Sequence, residues 1–332
     1  MNWFSFHLQD FAFSFLSILF EGVPFLLLGS LISGCVEAFL PPNLLARLLP
    51  RNRTAAVFLS GLLGGIFPMC ECGAVVVIRR FIAKGLPVSC AVTYMLAAPI
   101  VSPLVAISTF AAFRGQNPWE MTLLRLCVGY IVAVGAGLIV QKLPLSAVLQ
   151  EKMLENLPER RRELASASVG AGGRTGLRVA NNSPEEEASD EWMPAPGVKA
   201  KLLRVVQAAT ADFLDVALFF VIGATIAATF NTAVDQAIIA PVATSPILAP
   251  LTLMGLAGAM ALCSSTDAFI AASFIAFPFN AKLAFLVFGP VFDVKLFFLY
   301  GLIFRRKFIV ALAIGLFAVI ALICIRISVL GL

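Results

Sequence analysis

Charged residues are scarce in this chain, and their scarcity excludes an ordinary soluble domain. Only 13% of the 332 residues are Asp, Glu, Lys or Arg, whereas 60% are hydrophobic. In soluble domains about a quarter of the residues are charged and roughly half are apolar. The long apolar runs at 11–19, 24–32 and 309–325 are instead typical of transmembrane helices. The sequence therefore predicts an all-α, polytopic membrane protein.

Several signatures of enzymes and secreted proteins are also missing. The single histidine, His7, lies far from the cysteines, and there is no Walker A motif, so neither a histidine base nor ATP hydrolysis is expected. No Lys or Arg precedes the first apolar run, which argues against a cleaved signal peptide. The basic residues flank the apolar runs rather than an aromatic face, which argues against nucleic-acid binding. No cofactor is expected.

A polar segment divides the apolar sequence near its middle. Residues 143–200 contain Gly, Ala and Ser stretches, an Arg triplet and an acidic run, a composition typical of a disordered linker. We therefore predict a first membrane repeat at 1–142, this linker, and a second membrane repeat at 201–332.

The two halves resemble each other at a nearly constant offset. The segment 62–75 matches 255–268, and Glu21 in the first half falls on Asp215 in the second. The shared Gly, Pro and Cys positions keep the same order in both halves. Internal repeats of this kind are a hallmark of secondary transporters.

The placement of basic residues predicts that the two repeats are inverted. Lys and Arg mark the cytoplasmic ends of spans; they cluster at 47–53, 79–84 and 305–307, and they are missing from 231–245. Each repeat would then hold about three full spans and one hairpin, or about eight to ten membrane segments in all. The linker would be cytoplasmic, and the protein would be integral to the inner membrane of a bacterium.

Polar residues interrupt two apolar stretches whose arms are too short to cross a bilayer. Each arm has about 15 residues, roughly 22 Å as a helix, against a hydrocarbon core of about 30 Å. The interruptions comprise Cys70, Glu71, Cys72 and Gly73 in the first half and Cys263, Ser264, Ser265, Thr266 and Asp267 in the second. We predict re-entrant hairpins whose tips meet near the midplane, where polar backbone must be buried or wetted. Two thin full crossings are the alternative.

Acidic and thiol side chains at these tips are the main candidates for solute or ion binding. Burying a carboxylate in a membrane is costly, so Glu71 is interpreted as a possible proton carrier, and Asp267 either as a site residue or as a helix cap. Cys70 and Cys72, with Cys263 as a third thiol, could bind a soft metal or metalloid. Tight packing of small residues is the alternative role for the cysteines.

Repeat-matched positions beyond the hairpins complete the predicted site. Pro99 and Pro290 occupy matching places and are followed three residues later by Ser102 and Asp293. A proline within a span frees a carbonyl group, so these residues could line the same cavity. A structural pair between Asp293 and Lys295 is the alternative.

Two acids are given supporting roles, and Gly73 is a further candidate for solute or ion binding. Glu21 and Asp215 are expected to support the hairpins by capping or pairing. Gly73 opens an arm whose unpaired N–H groups could bind an anion.

The segments GGIFPMCECGAVVVIRRFIAKGLP, AAPIVSP, LCSSTDAFIAASF and FGPVFDVK resemble a large family of bacterial predicted permeases. The organoarsenical efflux permeases are relatives of that family. The resemblance covers nearly the whole chain outside the linker and implies an inner-membrane permease with the Cys-x-Cys segment at its functional site. The organoarsenical branch has a serine between its cysteines, whereas this chain has Glu71. The resemblance therefore supports transport rather than an arsenical substrate.

Our leading hypothesis is a secondary permease, not an enzyme, that moves a small solute by alternating access through a midplane site between the hairpin tips. The expected solute is a soft metal, a metalloid or a sulfur-containing anion. The alternatives are a membrane thiol or sulfur redox enzyme and a partner-dependent membrane subunit. Expected partners are the solute or ion, the lipid bilayer, and a second copy of the chain or an accessory protein.

Overall fold

The computed structural model describes residues 8–39, 50, 52–66, 69–151, 153, 198–233, 245 and 247–329. These ranges are helical and contain no β-strand. In chain order the helices are α1 (Leu8–Phe39), α2 (Arg53–Ile66), α3 (Glu71–Ala83), α4 (Val88–Val101), α5 (Pro103–Ala112), α6 (Pro118–Val140), α7 (Leu145–Val148), α8 (Val198–Ala233), α9 (Leu248–Met260), α10 (Asp267–Ser273), α11 (Phe279–Phe288), α12 (Val294–Tyr300) and α13 (Arg306–Val329). Most of the predicted linker lies outside the described residues.

Long apolar helices account for the membrane character of the chain. Within the described ranges, five helical stretches are long and apolar enough to cross a bilayer: Leu8–Phe39, Val88–Ala112, Pro118–Val140, Val205–Thr232 and Arg306–Ile327. Their outward faces carry large apolar side chains, among them Phe20, Ile131 and Leu322. The prediction of an all-α, polytopic membrane protein is confirmed.

The same order of helices occurs twice. Each half has a long first helix (α1, α8), two shorter arms (α2 and α3, α9 and α10), a broken pair (α4 and α5, α11 and α12) and a long last helix (α6, α13). The longest arm, α2, has 14 residues, which as a helix spans only roughly 21 Å. The arms are thus too short for a bilayer of about 30 Å. The inverted orientation of the halves and the re-entrant course of the arms stay predictions.

Contacts between the halves surround the hairpin breaks. Helix α1 packs along α8, α3 contacts α12, and α10 contacts α5. The hairpin of each half therefore meets the broken pair of the other half. Close approach depends on glycine: a Cβ atom on Gly29 of α1 would lie 2.9 Å from the Cα atom of Gly73, and one on Gly223 of α8 would lie 2.6 Å from the Cα atom of Lys295.

The repeat-matched prolines, Pro99 and Pro290, differ in their position relative to the helices. Pro99 lies inside α4, which continues to Val101 before Ser102 breaks it from α5. In the second half α11 ends at Phe288, so Pro290 lies in the turn before α12 and interrupts the helix instead of kinking it. Because a proline lacks an N–H group and clashes with the preceding turn, it can either interrupt the hydrogen bonds within a helix, as at Pro99, or lie beyond the helix end, as at Pro290.

Candidate functional site

A cavity of about 570 Å³ lies where the two hairpin breaks meet. Both breaks contribute to its wall, together with the first half of α1, the end of α8 and the start of α12. Its polar lining residues are Ser14, Ser17, Glu21, Cys70, Glu71, Cys72, Asn231, Cys263, Thr266 and Lys295. The structure thus brings thiols and charged groups of both halves to one space.

The backbone at each break explains how these side chains reach the cavity. Cys70 is extended, and Glu71 begins α3 directly after it, so the polar residues lie at the helix start. In the second half Ala261 has φ 51, a left-handed conformation that ends α9. Turns then lead to Asp267, the first residue of α10. Neither α3 nor α10 has a side-chain hydrogen bond at its N-cap.

A buried ion-pair group joins the first break to α12. Lys295 Nζ lies 3.1 Å from Glu71 Oε1 and 3.5 Å from Asp293 Oδ2. Asp293 also caps α12, because its Oδ1 atom accepts a hydrogen bond of 2.7 Å from the Leu296 N–H. Asp293 thus forms the predicted pair with Lys295. It does not line the cavity itself, but its partner Lys295 does. The second oxygen of Glu71 has no hydrogen-bond partner among the described residues.

A second buried ion pair holds the other break. Arg125 of α6 lies 2.7 Å from Asp267 Oδ2, and it donates further hydrogen bonds to Thr109 Oγ1 at 2.7 Å and to the Ser264 carbonyl at 3.1 Å. Asp267 does not line the cavity, and its carboxylate binds Arg125 instead of capping α10. Asp267 and Ser264 therefore hold the second break to Arg125 of α6, outside the cavity.

These two ion pairs cross between the halves. Glu71 of the first half is neutralised by Lys295 of the second, and Asp267 of the second half is neutralised by Arg125 of the first. Sequence reasoning missed the role of Arg125 altogether and considered Lys295 only as a partner of Asp293. The sequence did contain a signal for such partners: Arg125 and Lys295 lie within apolar stretches, and a charge inside a membrane needs an opposite charge close by.

The three predicted thiols share the cavity but do not form a ready-made metal site. Cys70, Cys72 and Cys263 form no disulfide and line the same cavity. Ser265 contributes a hydroxyl oxygen 3.6 Å from Cys263 Sγ. In the part of the chain that is described, no group of three or more Cys, His, Asp or Glu side chains is arranged to hold a metal ion.

Other predicted site residues lie away from the cavity. Pro99 and Ser102 are buried at the end of α4, Pro290 lies in its turn, and none of the three lines the cavity. Gly73 packs against α1, where a Cβ atom would lie 3.0 Å from the Phe25 carbonyl oxygen. This contact is a packing reason for a glycine there, independent of any bound anion.

The two supporting acids both contact the hairpin of the opposite half. Thr266 donates a hydrogen bond of 3.3 Å to Glu21 Oε1 at the second break. Asp215 forms an ion pair of 3.0 Å with Arg79, two turns along α3 from the first break. Only Glu21 of the two lines the cavity.

Comparison with known proteins adds an independent line of support. A family model, ArsP_1, described as a predicted permease, matches residues 7–328. The UPF0718 protein YcgR of Bacillus subtilis (strain 168) is 32% identical over 296 residues, which cover 89% of each chain.

A second relative comes from Streptococcus mutans serotype c and is named as a subunit of a two-component membrane permease complex. It is 30% identical over 298 residues, 89% of this chain and 87% of that one. No solved structure matches the chain. These relatives suggest a transporter and lend no support to the thiol-enzyme alternative.

Proposed function

This chain belongs to the ArsP_1 family of predicted permeases, and we propose on that premise that it carries a small thiol-seeking solute through the cavity between its two hairpin breaks. The proposal rests mainly on one observation. Cysteines from both halves, a buried carboxylate and a buried ammonium group line a single cavity at the interface of the halves. Transporter sites commonly lie between repeats and at interrupted helices.

The chemistry of the wall favours a soft cation or a neutral metalloid. Thiol groups are soft ligands that select such solutes. Among the described residues that line the cavity, negative charge exceeds positive charge, since Glu21 and Glu71 are accompanied only by Lys295, and Lys295 is paired with two carboxylates. The three thiols could converge on a solute if the two halves moved closer, because they already share one wall.

A sulfur-containing anion is the second candidate. Lys295 brings an ammonium group to the wall beside the first turn of α3, and both features attract anions. An anion would have to compete with Glu71 and Asp293 for Lys295, which is why we rank it second.

Alternating access would come from a rocking movement of one half against the other around this site. The crossed pairs Glu71–Lys295 and Asp267–Arg125 link each hairpin to the opposite half. They differ in one respect: Glu71–Lys295 lines the cavity and Asp267–Arg125 does not. The solute can therefore contact the first pair directly, while the second keeps its break in place.

Uptake into proteoliposomes tests the proposal. We expect the purified full chain to take up Ag⁺, or the neutral metalloid arsenous acid, faster than thiosulfate. Cys70→Ser, Cys72→Ser and Glu71→Gln should each lower that uptake about tenfold or more, the loss expected when a direct solute contact is removed. Cys35→Ser and Cys127→Ser are matched controls, because both thiols are exposed outside the cavity, and they should leave uptake unchanged.

Two results would count against the proposal. Uptake that is unchanged in all three site variants would remove the site. Selective uptake of thiosulfate that depends on Lys295 would replace the soft cation with the anion as solute.

We further propose an inner-membrane location with the linker in the cytoplasm, from the placement of the basic clusters. The name of the streptococcal relative also leads us to propose that this chain works with an accessory protein. Cross-linking in native membranes followed by affinity purification would test this: recovery of the chain alone, or only with a second copy of itself, would contradict an accessory protein.

A further inference from the structure

An ion-paired cluster joins α1, α3 and α8 at a distance from the cavity. We define it as Ser33, Glu37, Arg80, Lys84 and Asp212. At its centre Arg80 binds Asp212 through two parallel hydrogen bonds of 2.9 Å, and Ser33 donates a hydrogen bond of 2.5 Å to the same carboxylate. Glu37 lies 3.5 Å from Arg80 and 3.6 Å from Lys84.

All three helices run from the cavity to this cluster. On α1 the cavity is lined up to Phe25, and the cluster begins at Ser33. On α3 the cavity is lined by the first two residues, and the cluster begins at Arg80. The cluster therefore occupies the end of the three-helix interface opposite to the cavity.

A packed apolar layer separates the cavity from the cluster. Leu26 of α1, Val76 of α3 and Phe220 of α8 are each at most 1% exposed, and Val76 lies on the face of α3 that carries Gly73 and Arg80. A solute that enters the cavity is thus blocked in the direction of the cluster by this layer and by the ion pairs behind it.

The repeat in the sequence strengthens the contrast between the two ends. At the offset that matches Glu21 with Asp215, Asp212 corresponds to Ile18 and Glu37 corresponds to Asn231. Ile18, Glu21 and Asn231 all line the open cavity. Positions that form ion pairs in the cluster therefore correspond, in the other repeat, to positions that line the cavity.

We propose that Arg80 and Asp212 are positioning residues that hold the transport path closed at the cluster end, and that release of the solute requires this pair to separate. The inference rests on the proposed permease function and adds the location of its closed gate. The bidentate geometry suits the role, because both hydrogen bonds break together when α3 and α8 move apart. Asp212 is almost fully buried, so the pair is little screened while it is closed.

Thiol labelling from each side of the membrane tests the gate without any transport. Right-side-out and inverted bacterial membrane vesicles that contain the full chain would be treated with a membrane-impermeant methanethiosulfonate reagent. Mass spectrometry would then read modification of Cys70 and Cys263, which line the cavity. In the wild type we expect labelling only from the cavity side. Asp212→Asn should raise labelling from the cluster side about tenfold or more, because it shifts the population toward the open state.

Two comparisons keep the result specific to the pair. Arg80→Lys keeps the charge but loses the bidentate geometry, so an intermediate rise is expected. Glu151→Gln breaks another arginine–carboxylate pair, Arg305–Glu151 at 3.1 Å, and should change nothing. Cys324 is fully buried in the folded protein and reports unfolding, since it should stay unlabelled in every variant.

Equal labelling of the wild type from both sides would overturn the gate. So would an Asp212→Asn or Arg80→Lys variant that keeps Cys324 protected and labels from the cluster side no faster than the wild type. Neither result depends on solute uptake, so a failed uptake experiment leaves the gate to be judged by labelling alone.

Discussion

Replacement of Arg125 by Met should strongly destabilise the protein. The Arg125 and Asp267 side chains are 1% and 3% exposed, and their closest atoms are 2.7 Å apart. Hydrogen bonds between helices in membranes average only about 0.6 kcal/mol each, so the three bonds of Arg125 would account for roughly 2 kcal/mol. Removing one partner of a buried ion pair costs about 3–5 kcal/mol, because the other charge is left uncompensated. We therefore expect the Arg125→Met variant to lose about 3–5 kcal/mol of unfolding free energy.

A double-mutant cycle separates these contributions. Asp267→Asn alone should also be costly, but the double variant Arg125→Met/Asp267→Asn should recover a large part of the loss, since no uncompensated charge remains. Unfolding in mixed micelles, followed by circular dichroism or steric trapping, supplies the free energies. Arg305→Met is the matched control, because its pair with Glu151 is 43% and 84% exposed and should contribute about 0–1 kcal/mol. A loss for Arg125→Met no greater than that of Arg305→Met, or strict additivity in the cycle, would refute the reasoning.

Further changes test other contacts. Gly29→Ala places a Cβ atom 2.9 Å from the Gly73 Cα atom and should cost about 1–3 kcal/mol in the same unfolding assay, whereas Gly135→Ala, with open space around it, should be nearly neutral. Lys295→Met leaves the Glu71 and Asp293 carboxylates without their ammonium group. The loss of these two ion pairs in the cavity wall should outweigh the added negative charge and lower Ag⁺ uptake about tenfold, with partial recovery in Lys295→Arg. Full uptake in Lys295→Met would exclude a role for that charge. Ag⁺ should protect Cys70 but not Cys127 from maleimide labelling, because of these two thiols only Cys70 lines the cavity. Equal protection of both thiols would indicate nonspecific binding.

Local features of the fold could be predicted from the sequence because their causes are local. The short arms around Cys70 and Cys263 follow from apolar runs that stop at polar residues, and the structure has helix ends at both places. The sequence singled out Pro99 within a span but did not predict the break at Ser102, which is followed by Pro103 at the start of α5. The course of the chain at Pro290 was less predictable, because a proline can either kink a helix or end it.

Partners of the charged residues could not be predicted, because they depend on distant parts of the chain. Arg125 and Asp267 are 142 positions apart, and Arg80 and Asp212 are 132 apart. The repeat indicated which positions correspond to each other, but corresponding positions are not contacting positions. The sequence therefore singled out the acids and thiols at the two breaks, but not the cations that pair with the acids.

The crossed ion pairs also bear on how the protein is made. During synthesis the first half enters the membrane with Glu71 and Arg125 before Lys295 and Asp267 have left the ribosome. Until then each of these charges depends on water, lipid headgroups or an insertase for compensation. Neither half is electrostatically complete by itself, so quality-control proteases would be expected to remove an orphan half, whereas two halves produced as separate chains should rescue each other.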